Sequence, residues 1–182
     1  LEAYGDEVRF LGSFNLPPHN KQRIRTLTWN VCLLHLCHFL GLLTEDVSGD
    51  LEVDPTFRSV PRTEAMRRVF NIAHKPRWEE LQLETGALAR WVDVASGLQR
   101  MARDYDPSGE VNNIDVFYCV PLRADAESRE VWLREYLSRW SDFVREPPRF
   151  HCVQGEHYTM ISAEHVVNFG KVLMAALKAR EI

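Results

Sequence analysis

The segment RFHCVQGEHYTMI, residues 149 to 161, carries the side chain best suited to acid–base chemistry. A short β-type run, Arg149 to Val153, is followed by Gly155, whose backbone freedom permits a sharp exit, and the chain then delivers His157 onto a loop. Tyr158, Met160 and Ile161 are placed to pack beneath the imidazole. A second group of reactive side chains, CLLHLCH at residues 32 to 38, offers Cys32, His35, Cys37 and His38 as possible zinc ligands. On a helix His35 and Cys37 point about 200° apart, so four ligands cannot converge on one tetrahedral ion, and an apolar helix docked on a core accounts for the segment better. His19, after Pro17 and Pro18, reads as a solvated loop histidine. The basic stretch RRVFNIAHKPRW, residues 67 to 78, reads as a solvated helix face that could also meet an acidic partner.

The elements that position His157 follow from the hydrophobic pattern. Val8 to Phe14 reads as a buried strand closed by Pro17 and Pro18, after Leu1 to Tyr4 as a helix tail stopped by Gly5. A domain that opens on the end of a helix is expected to have lost what came before it. Lys21 to Tyr105 reads as helical: Thr28 caps a helix to about Leu43, residues 47 to 61 form a loop, and Thr63 caps a helix to Ile72. Pro76 restarts a helix over about Arg77 to Leu83, and Gly86 precedes a longer one carrying Leu88, Trp91, Val92, Ala95, Leu98 and Met101 at helical period. Ile114 to Val120 is a continuous apolar and β-branched run, as a strand buried on both faces requires. Glu127 to Val144 has the spacing of one helix, Phe150 to Val153 is the last strand, and Ala163 to Arg180 is a terminal helix. The alternation of strands and helices predicts an α/β fold with a large helical insertion after the first strand. In such a sheet functional groups gather on loops beyond the carboxyl ends of the strands, which is where His157 falls.

Composition narrows the class. The 182 residues, 45% hydrophobic, suffice for one domain with a sizeable core. A net charge of −4 and a pI near 6.0 give no concentrated positive surface for nucleic acid or an anionic membrane. Four cysteines, two of them inside apolar runs, fit reduced thiols in a cytoplasmic setting. The longest apolar run, Val31 to Leu43, is interrupted by His35, His38 and Gly41 and falls short of a membrane span.

GEHYTMI, followed by SAEHVVNFGKVLMAAL, resembles the end of an α/β-hydrolase-fold thioesterase domain, the releasing domain of polyketide synthases, nonribosomal peptide synthetases and their fungal synthetase-like relatives. The resemblance implies a partial α/β-hydrolase fold: residues 1 to 182 are the C-terminal part of the domain, with the last strands of a mostly parallel sheet and a helical lid at about residues 21 to 105. It implies hydrolysis or cyclising release of a polyketide or amino-acid-derived acyl chain in secondary metabolite biosynthesis. The chain would be presented on the phosphopantetheine arm of an acyl or peptidyl carrier domain, with no other cofactor and no metal. His157 would be the general base, and either Asp125, after FYCVPLRA, or Asn15, at the end of the first strand, would hold its ring. The family's Gly-x-Ser-x-Gly elbow occurs nowhere in residues 1 to 182 and is expected upstream of Leu1. The alternative expectation is a truncated, non-catalytic relative that binds or self-associates through an exposed strand edge.

Overall fold

A computed structural model describes residues 2–123 and 125–182; Leu1, assigned above to a helix tail, lies outside the described residues. The chain divides into two compact units, one of Lys21–Tyr105 and one of Leu1–Asn20 with Asp106–Ile182.

The Lys21–Tyr105 unit is helical throughout: α1 (Lys21–Thr26), α2 (Trp29–Phe39), α3 (Glu45–Val53), α4 (Pro55–Ser59), α5 (Arg62–Ile72), α6 (Lys75–Glu80) and α7 (Thr85–Ala102). Its core gathers Leu33, Leu34, Cys37, Leu42, Phe57, Val69, Leu88 and Val92, all buried, around α2. Thr28 accepts from the Val31 N–H and so caps α2 as expected. Residues 47 to 61, expected as a loop, instead form most of α3 together with α4. Thr44 accepts from the Val47 N–H, Glu45 and Asp46 occupy the first turn of α3, and Asp54 caps α4 with Pro55 behind it. These are strong start signals, and they outweigh the single interior Gly49, which is buried. Asn30, buried on α2, donates to the carbonyls of Phe57 and Val60 at 2.8 and 2.9 Å and ties down the end of α4. Thr63 does not cap α5: the helix starts two residues earlier than such a cap would set it, at Arg62 behind Pro61.

The second unit holds a parallel sheet, in the order β1 (Gly12–Phe14), β2 (Asp115–Val120), β3 (Arg149–Glu156) among the described residues. Alternate β2 side chains serve opposite faces. Phe117 and Cys119 pack with Val153, Met160 and Phe169, the last on the terminal helix, while Val116 packs with Ile114, Trp132 and Leu137. A strand covered on both faces is why the 114–120 run lacks polar alternation. The first strand is shorter than expected because β2 pairs with it only at Gly12, Ser13 and Phe14.

Residues 127 to 144 are not one α-helix. They form α8 (Arg129–Val131), a π-helical stretch Trp132–Tyr136 and a 3-10 stretch Leu137–Phe143. Trp132 and Leu137 are both buried against the same face of the sheet. In an α-helix, residues five apart lie about 140° from one another, whereas the wider i→i+5 turn brings them much closer to one face. The terminal helix, α9, spans Val166–Lys178. At the amino end of β2, fully buried Asp115 accepts from Arg180 Nε at 2.9 Å and pairs with His151 Nε2 at 2.7 Å.

Candidate functional site

The sequence places three groups just past or near the carboxyl ends of the three parallel strands: Asn15 after β1, Cys119 near the end of β2, and His157 after β3. Such ends converge in a parallel sheet. The β3 exit is built by Gly155, whose φ of +90° lies in the left-handed region. The next turn closes as the N–H groups of Thr159 and Met160 both donate to the Glu156 carbonyl at 2.9 Å. The Thr159 hydroxyl also accepts from the Glu156 N–H at 2.9 Å. Met160 is buried beneath, and the Tyr158 ring meets the imidazole edge-on at 4.9 Å.

Asn15 is fully buried and also left-handed, with φ of +49°, a conformation that asparagine tolerates better than most residues. Its N–H donates to the Phe117 carbonyl at 2.7 Å, which extends the ladder one residue beyond β1. Its Oδ1 accepts from the indole Nε1–H of buried Trp132 at 2.8 Å and from the Cys119 N–H at 3.3 Å. Its Nδ2 lies 3.3 Å from His157 Nδ1. The structure therefore brings Asn15 to His157. Asp125 sits in the turn after β2, half-buried, with its N–H on the Leu122 carbonyl at 2.8 Å. Burial pushes the Cys119 thiol up to about 12, so beside Asn15 it is an inert packing group rather than a nucleophile. Ser13 donates its hydroxyl to the Leu16 carbonyl at 3.1 Å.

Trp132 is the part of the site that sequence reasoning missed, since its spacing marked only a helix face. The available signal was chemical: a buried tryptophan N–H requires an acceptor. The histidines of α2 have structural partners. His35 pairs with Glu52 and His38 with Glu45, each at 2.9 Å; both carboxylates lie on α3, Glu52 within the misread residues 47 to 61. His19 packs against Phe143 at 5.3 Å. In the 67–78 stretch, Arg67 and Arg68 pair with Glu64, Arg77 with Glu80, and Lys75 lies over the Phe70 ring.

A parallel sheet covered by helices on both faces, with an imidazole and an amide on loops past the strand ends, defines the class as a partial α/β fold. The backbone is similar to that of the Vlm2 thioesterase domain with genetically encoded 2,3-diaminopropionic acid, solved bound with a dodecadepsipeptide. The TM-score is 0.58 at 19% identity, covering 95% of this chain and 57% of that one. Along its length the chain is similar to a segment of fungal nonribosomal peptide synthetases. It is 49% identical over 182 residues, its whole length, to nonribosomal peptide synthetase atrA of Aspergillus terreus, and 48% identical over 180 residues to nonribosomal peptide synthetase apvA of the same species. The chain spans about a fifth of the length of these relatives, 20% and 19%. No family model matches it.

Proposed function

We propose that residues 1 to 182 are the C-terminal part of a thioesterase domain that releases a carrier-bound polyketide or amino-acid-derived acyl chain, by hydrolysis or cyclisation, in secondary metabolism. The observation that carries the reading is His157 beyond the last strand of a parallel sheet, its Nδ1 met by Asn15. Identity to nonribosomal peptide synthetases supports it. His157 is the general base for a nucleophile on an elbow outside these 182 residues, Asn15 lies against its ring, and Asp125 is the second candidate for that place. Lys21–Tyr105 serves as the lid. The partner is an acyl or peptidyl carrier domain whose phosphopantetheine arm presents the thioester, in the cytoplasm. No helix among the described residues is long and apolar enough to cross a membrane.

The test is release of product from an acyl N-acetylcysteamine thioester by the natural full-length protein. His157→Ala is expected to lower kcat on the order of a thousandfold or more. Unchanged turnover would remove His157 from the chemistry.

A second reading, a non-catalytic thioesterase-like binding module, is favoured by asparagine where the family carries aspartate and by Phe14 and Leu16, about half-exposed at and just past edge strand β1, which suit self-association. Covalent labelling of the full-length protein by a fluorophosphonate probe, together with turnover, would exclude it.

A further inference from the structure

We infer that Asn15 sets the resting tautomer of His157, and that Trp132 is the positioning residue that holds Asn15 to that task. The catalytic consequence rests on the thioesterase reading; the tautomer itself rests on hydrogen-bond geometry within one compact unit.

A carboxamide has one accepting end and one donating end. The accepting end of Asn15 is claimed by two groups that can only donate, the Trp132 indole N–H at 2.8 Å and the Cys119 N–H at 3.3 Å. Turning the amide over would set its NH2 against both, in a site where Asn15 is fully buried and Trp132 only 4% exposed. Each donor stranded in the interior would lose its acceptor without compensation from water, so the orientation is fixed. Nδ2 therefore faces His157 Nδ1 at 3.3 Å with protons only, and Nδ1 must accept. In the neutral ring the proton then resides on Nε2.

A base in a Ser–His–Asp site has the opposite arrangement, with Nδ1–H held by the orienting carboxylate and the Nε2 lone pair turned to the nucleophile. The resting imidazole here presents an N–H on its outer nitrogen, so a hydroxyl or thiol nucleophile cannot be deprotonated until the proton moves to Nδ1. An aspartate at position 15 would keep one oxygen on Trp132 and Cys119 and offer the other to Nδ1–H. It would reverse the tautomer with no change in heavy-atom positions.

The tautomer can be read directly by magic-angle-spinning 15N–13C correlation of the natural full-length protein, labelled only at histidine, at alkaline pH where the ring is neutral. His157 is assigned by the signal lost in His157→Gln. The expected wild-type spectrum has the proton on Nε2, the nitrogen correlated with Cδ2. In Asn15→Asp the proton moves to Nδ1, and kcat for acyl release rises at least tenfold with KM little changed. In Trp132→Phe, which releases the amide oxygen, both tautomers are populated. A wild-type ring protonated at Nδ1, or an Asn15→Asp ring still protonated at Nε2, overturns the inference. The wild-type spectrum needs no variant to fold, and the spectra are independent of turnover. Loss of the thioesterase reading through an active His157→Ala enzyme would leave the tautomer result standing, and the reverse also holds.

Discussion

Gly155 carries a constraint that no other residue type meets. A Cβ built there would sit 2.6 Å from the His165 ring and 3.1 Å from the Met160 backbone, on a backbone with φ of +90°. The left-handed strain alone costs about 1–3 kcal/mol for a residue with a side chain, and the contacts add to it. Gly155→Ala is therefore expected to lower stability by at least that amount, read as a reduced urea midpoint. Because the displaced turn carries His157, the variant should also lose thioester release beyond what its unfolded fraction explains. Gly155 and His157 were both legible in the sequence, glycine by its backbone freedom and histidine by its place after a β-type run. The pairing of His157 with Asn15, 142 residues apart, was not legible from spacing; only the family resemblance offered it, as one of two candidates beside Asp125, and the strand register brings the two together.

Among the elements, α3 shows why a reading based on glycine, proline and aspartate as loop formers failed. The same Asp and Thr residues that suit turns also cap helices, and Thr44 and Asp54 do so here. The segment then supplies Glu52, whose carboxylate pairs with His35 at 2.9 Å and with Arg23 at 2.6 Å while only 6% exposed. Burial alone would raise its pKa, but the His35 hydrogen bond and charge, with the Arg23 charge, outweigh burial and hold it below the usual glutamate range. A carboxylate depressed in the folded state stabilises fully above its unfolded pKa and loses that contribution as pH falls through the folded value. Thermal midpoints of the wild type are thus expected to fall as pH drops below about 4.3. In Glu52→Gln, already less stable at neutral pH, that part of the acid slope should be absent; equal slopes would contradict the assignment. The 127–144 segment makes the companion point: aromatic spacing revealed a face on the sheet, but the switch to a π turn is decided by what Trp132 and Leu137 must reach.

At the scale of the molecule, the α/β class, the order of strands and the boundaries of the helical block were readable because long runs with a clear period change character at Asn20 and Asp106. The buried ion cluster at the amino ends of the strands was not. Asp115 was passed over inside the run Ile114 to Val120, yet it is fully buried, with the Arg180 side chain 93% buried against it. Removing one partner of such a pair leaves an uncompensated charge in the interior, at a cost of about 3–5 kcal/mol. Arg180→Met should therefore destabilise the sheet unit by that order in denaturant unfolding, with the Lys21–Tyr105 unit little affected. A loss below about 1 kcal/mol would show that His151 alone satisfies the carboxylate.

Asp115, on the middle strand of the three described, also lies next to the residues that follow α9, since Arg180 follows α9 and Arg149 Nη1 donates to the Ala179 carbonyl at 3.2 Å. Tension transmitted through residues 181 and 182 would load this latch before it reached any strand pairing. The sheet is thus mechanically shielded by a tether on the side opposite His157, and pulling would peel away α9 while the hydrogen-bonded ladder stayed intact.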